Sequence, residues 1–119
     1  MESGMFILEA QRGRITLTMT CLRLGRDLCV TLAGGDRPHI GAVALARSEA
    51  GGSSVLTLPG HRESDLAQAI AARLADQFDA AVSVACGIHL DDILPEELAA
   101  VLELSQELTS ELVARLEEG

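Results

Sequence analysis

Three histidines, His39, His61 and His89, stand in glycine- or proline-marked stretches: RPHIG (37–41), LPGHRES (58–64) and CGIHLDD (86–92). An imidazole near neutral pH can carry a proton, hydrogen-bond or ligate a metal. Arg37 and Arg62 travel with the first two, and Asp91 and Asp92 with the third. Three imidazoles can hold Zn²⁺ and leave a fourth position for water. Imidazoles with guanidinium groups and glycine-rich backbone N–H groups can instead hold an anion such as phosphate. Arginine is unfavourable beside a metal cation and favourable beside phosphate or carboxylate, so the arginines tilt the reading toward an anion or polar ligand. If a metal is held, His39, His61 and His89 are the ligands. Gly34, Gly35 and Gly41, which surround His39 in GGDRPHIG, complete the candidate set.

A plainer reading stands beside this one. A histidine at a loop junction is often a surface hydrogen-bonding residue, and the glycines can be turn residues only. Cys86 near His89 invites a thiol nucleophile. Its apolar strand neighbours argue for inert packing instead. Bulk composition removes other classes. Net charge is −9 over 119 residues, and all basic residues are Arg. Such a chain repels a phosphate backbone, so nucleic-acid binding is not expected. Without lysine there is no Schiff base and no P-loop. Phe6 and Phe78 are the only aromatics, so bases and sugars find no stacking platform. Cys21, Cys29 and Cys86 show no CxxC spacing, and MESGMFILEA lacks a basic leader region. Reduced thiols in a cytoplasmic chain are expected, with no membrane span, since no apolar run nears ~20 residues.

The elements must bring the histidines together. RITLTMTCLRLG (14–25) alternates, with Ile15, Leu17, Met19 and Cys21 on one face and Thr16, Thr18 and Thr20 on the other. FILEAQ precedes it through a turn at Arg12-Gly13, and LCVTLAGG follows the turn at 25–27, so residues 5–33 read as a β-meander. IGAVALARS and VLTL are two more strands around the loop SEAGGSS, stopped at Pro59-Gly60. Residues 62–79 then carry Leu66, Ile70, Leu74 and Phe78 on one helical stripe, with Ser64 or Glu63 where a cap belongs. AAVSVACG is a buried strand. The segment from Leu94 onward is a long final helix opened by Pro95, with a stripe of Leu98, Val101, Leu102, Ser105, Leu108, Leu112 and Leu116. The predicted fold is α+β: one domain, residues 1–119, with an antiparallel sheet of about six strands in one layer. Two helices pack on one sheet face, and the last is long and C-terminal. The threonine face of residues 16–20, or the far end of the last helix, is left for a second copy, so a homodimer is expected.

The blocks GGDRPHIGAVALA, LPGHRESDLAQAIA and VACGIHLDDILPEEL resemble three blocks of the prenylated-flavin chaperone-like family. The resemblance runs from roughly residue 27 to 115, and each block holds a histidine in a fixed local setting; residues 1–26 match only in strand character. The family includes the small D subunit of bacterial non-oxidative hydroxyarylic acid decarboxylases. The resemblance implies a fold like that of proteasome assembly chaperones. It also implies partnership with a UbiD-type decarboxylase large subunit and with the flavin prenyltransferase. Contact with prenylated FMN would be transient at most, with no cofactor bound tightly. Gly34, Gly35, Pro38, His39 and Gly41 match the first block, Pro59 and His61 the second, and Gly87, Ile88 and His89 the third. The sequence departs after His61, where Arg62 and Glu63 stand in place of a longer basic loop. The implied role is a non-catalytic, chaperone-like accessory subunit. A small metal- or anion-binding enzyme using the histidine cluster is the alternative that the residues leave open.

Overall fold

The computed structural model describes residues 4–48, 52–59 and 63–118. Its elements follow one another as β1 (Met5–Arg12), β2 (Ile15–Leu24), β3 (Asp27–Gly35), β4 (Ala42–Arg47), β5 (Ser53–Thr57), α1 (Ser64–Phe78), β6 (Ala81–His89) and α2 (Pro95–Glu118). The α+β architecture, the six strands and the long C-terminal helix are as expected from the sequence.

The strands form one sheet in the order β1-β2-β3-β6-β4-β5. The turns at Gly13 and Gly25 both use left-handed backbone (φ +59° and +62°), which glycine adopts without steric cost. They close the β1–β2–β3 meander, and β4 pairs with β5 as a second hairpin. The wholly antiparallel sheet expected from sequence needs one correction. β6 enters between the meander and the β4–β5 hairpin, parallel to β3 from Leu28↔Val82 to Gly35↔His89 and antiparallel to β4. The sheet is therefore mixed. The α1 crossover permits this, because a helix can carry the chain back to start a strand in the same direction as β3.

Alternation sorts each strand into two faces. Leu17, Met19, Val30, Leu32, Val82, Val84 and Cys86 are buried beneath the helices. α1 lies over β4, β5 and β6, and α2 over β1 and β2. α1 buries the expected stripe around Ile70 and Leu74, with Leu66 and Phe78 partly covered. On α2 the buried residues are Ala100, Val101, Leu104, Ser105, Leu108, Thr109, Leu112 and Leu116. Leu98 and Leu102, expected in that stripe, are instead 53% and 45% exposed. They flank a groove that opens where the two helices part over the sheet.

Candidate functional site

The parallel β3–β6 pair gathers the chemistry. Both strands end at the same rim, at Gly35 and His89. β5, which runs antiparallel to β4, ends there too, so both helices begin at that rim. The segment 36–41 crosses the end of β6 to reach β4. Asp36 N–H donates to the His89 carbonyl at 2.7 Å on one side, and Gly41 N–H to the Cys86 carbonyl at 2.9 Å on the other. Between these anchors the His39 carbonyl lies against Gly87 so closely that a Cβ there would collide with it. Gly87 is what lets the loop lie flat on the strand.

Arg37 and His89, expected to converge, do so. Arg37 Nη2 lies 2.9 Å from His89 Nε2 and 3.1 Å from Asp91 Oδ1, and Asp91 Oδ1 lies 2.9 Å from His89 Nε2. One Nε2 cannot accept from Arg37 and donate to Asp91 at once, so the triangle has two tautomeric forms. His39 stands beside this triangle with different partners. Its Nδ1 donates to the Arg37 carbonyl at 3.0 Å, and its Nε2 faces Glu63 Oε1 at 3.2 Å. The positions of His61 and Arg62 lie outside the described residues. Among the described residues no group of three His, Cys, Asp or Glu is arranged to hold a metal ion. Gly41 sits against the Glu63 carboxyl, Gly34 against the Thr16 carbonyl, and Gly35 (φ +78°) against the His89 carbonyl. In each case the glycine makes room for this protein's own groups.

Several rim contacts were not foreseen from sequence. Glu63 starts α1 without a side-chain cap bond. Its carboxyl turns sideways to His39 and accepts from Ile88 N–H at 3.3 Å. Arg14 grips Glu97 with two bonds, at 2.7 and 2.9 Å, donates to the Asp91 carbonyl at 2.7 Å, and faces Asp36 at 3.4 Å. Glu97 also accepts from Leu94 N–H at 3.0 Å, the backward half of a capping box at the start of α2. These bonds hold its carboxyl down at about 2, Arg14 acting most strongly and the Leu94 N–H next. The Asp91 carboxyl is likewise lowered, first by hydrogen bonding from His89, with the Arg37 charge adding to it. The thiols lie elsewhere. Burial pushes Cys86 up to about 12 and Cys21 to about 11, so neither is a thiolate nucleophile near neutrality.

The fold is similar to that of an assembly chaperone of known structure. It matches a chain of a chaperone complex for yeast 20S proteasome assembly with a TM-score of 0.63, covering 96% of this chain and 99% of that one at 13% identity. Residues 11–117 match the prenylated flavin chaperone LpdD-like domain, and the chain belongs to that family. It is 23% identical over 99 residues to Protein LpdD of Lactiplantibacillus plantarum, across 79% of this chain and 72% of that protein. The family expected from the three histidine blocks is thus the one found.

A prenylated flavin carries a phosphate, and the described rim does not fit one. Its two guanidiniums, Arg14 and Arg37, are already occupied by Glu97, Asp36 and Asp91. A phosphate would have to displace those carboxylates and then sit among them, with no net gain in charge pairing. The polar rim is suited to holding its own loops in register.

No helix among the described residues is long and apolar enough to cross a membrane.

Proposed function

We propose that the chain is a non-catalytic accessory subunit that assists a UbiD-type, prenylated-FMN-dependent aromatic acid decarboxylase in the cytoplasm. It acts by touching the decarboxylase, or the prenyltransferase that supplies its cofactor, and flavin contact is passing. The observation that carries this reading is the family match across residues 11–117. The rim supports it: Arg37, His39 and His89 are braced by Asp91 and Glu63 in a fixed polar surface, as a recognition patch requires. The occupied guanidiniums favour a protein partner over a tightly held cofactor phosphate.

The working unit in this reading is a homodimer joined through the open sheet face. That face carries exposed Ile7, Leu22, Leu24, Val43, Leu45 and Leu56. Between the strand ends, the outward positions of β2, β3, β6 and β4 bear no charge. A chain of net charge −9 pairs with itself most readily where it has fewest carboxylates.

The decisive experiment co-expresses a UbiD-type decarboxylase and its flavin prenyltransferase with and without this chain. The expected result is a several-fold higher flavin-loaded, active fraction of decarboxylase when the chain is present. Arg37→Ala/His89→Ala is expected to lose that gain while still folding. CO₂ release from 4-hydroxybenzoate by the isolated chain, or indifference of the decarboxylase to it, contradicts the proposal.

A further inference from the structure

An apolar groove runs between the two helices. Its first stretch, of about 610 Å³, is walled by Leu66, Ile88, Ile93, Leu98 and Leu102. A second stretch of about 480 Å³ shares Asp65, Leu66 and Leu102 with it and continues past Ile70, Ser105 and Thr109. Arg73 closes the far end by donating to Ser110 Oγ at 3.0 Å. The floor is drier than its residue types suggest. Ser105 and Thr109 are fully buried, and their hydroxyls donate to the Val101 and Ser105 carbonyls, each at 2.7 Å. Covering them therefore strands no polar atom.

We propose that this groove receives one amphipathic helix of a partner protein, its apolar stripe on the groove and its Arg or Lys residues at the end nearest the start of α1. Two helices that part over a sheet leave a trough of helical width, and Leu98 and Leu102, one turn apart, offer knobs along one wall. Along α2 the trough runs from Leu98 to Ser110, roughly 18 Å at 1.5 Å per residue, and Ile93 extends it, which suits a helix of about four turns. Charge selects the occupant. Asp65 lines both stretches, Asp92 and Glu96 flank Ile93 and Leu94, and none of these three carboxylates has an ion-pair partner among the described residues. A second copy would bring the same uncompensated carboxylates to meet them, whereas basic residues on a partner helix neutralise them. This inference stands on the groove itself and goes beyond the accessory role proposed above.

The probe is a fluorescein-labelled synthetic peptide of roughly 16 residues, with Leu at i, i+4 and i+7 and several Arg at one end, titrated with the purified chain. A matched peptide carries Glu in place of Arg. Saturable binding of the Arg peptide is expected, weakening as salt rises, with amide shifts confined to residues 64–70 and 93–106. Asp65→Lys is expected to weaken it by about tenfold, and Leu98→Glu/Leu102→Glu to abolish it. Both substitutions fall on exposed side chains, and an unchanged thermal midpoint certifies their fold. Equal binding of the Glu peptide overturns the proposal, as does unaltered binding by the double variant or no binding by either peptide. It also falls if the double variant breaks self-association, which would make a second copy the occupant. No decarboxylase enters this test, so its outcome is independent of the co-expression experiment.

Discussion

Glu63 turns its carboxyl away from the helix it begins. A residue at that position ordinarily caps the helix, and here the side chain faces His39 Nε2 and Ile88 N–H instead. Gly41 leaves the space for it, and Gly87 leaves the space for the His39 carbonyl. The two glycines should respond differently to a methyl group. Gly87→Ala meets backbone, which cannot step aside, and is expected to cost about 1–3 kcal/mol in urea unfolding. Gly41→Ala meets the end of a side chain that can rotate away. It should cost less and release His39, visible as a change in the imidazole NMR shifts. Equal costs for the two would refute this account of the loop.

Glu97 makes acid sensitivity a residue-scale property. Its folded value of about 2 lies below its ordinary 4.5. A depressed carboxyl stabilises the fold fully above the unfolded value, and that contribution drains away as pH falls from 4.5 toward about 2. Asp91, also lowered, acts in the same direction. Stability measured across that window should therefore fall less steeply in Glu97→Gln than in the parent chain; parallel curves would show that the Arg14 clamp adds nothing. The clamp was not legible in the sequence, because its partners lie 83 positions apart and no local spacing marks them. Arg37 and His89 were legible, since both sit at strand ends bounded by glycine. The cap position was legible as Ser64 or Glu63, and Glu63 occupies it; that its carboxyl turns to His39 and Ile88 was not, because those partners lie far away in the sequence.

At the scale of elements, α2 separates buried from exposed leucines. Leu108 and Leu112 are fully enclosed, whereas Leu102 is 45% exposed on the groove wall. Leu108→Ala should cost about 2–5 kcal/mol. Leu102→Ala should stay within about 1 kcal/mol, as surface changes do. Comparable losses would mean that the groove is closed in solution. The helix itself was readable from its period. The outer edge of its stripe was not, because periodicity shows which residues are apolar and not how far the neighbouring helix stands away. The strands were read to within two residues at their ends, most cleanly β2, β3 and β4, which alternate between buried and open residues; Ser53 and Ser54, read as loop, belong to β5, which buries neither face. The strands' partners were not legible, because β3 carries the same alternation whether its neighbour runs parallel or antiparallel.

For the whole molecule, the open sheet face, uncharged across its four central strands and bearing Glu9 only on the edge strand β1, predicts a dimer. Sedimentation at micromolar concentration should give twice the chain mass, and Leu45→Asp, at an outward and 57% exposed position, should return the monomer without unfolding it. A monomeric parent chain would remove that face from the account.

The insertion of β6 has a consequence for how the chain is made. The β1–β2–β3 meander and the β4–β5 hairpin precede β6 in the chain, and neither pairs with the other in the sheet. The central strand must slide between them and reach back as far as Asp27, whose carboxylate accepts from Ala81 N–H 54 positions away. Such long-range closure is slow. Until it happens, the inner edges of β3 and β4 stand open to any passing strand. A nascent copy is therefore most vulnerable to aggregation in the interval before β6, from Ala81 to His89, leaves the ribosome.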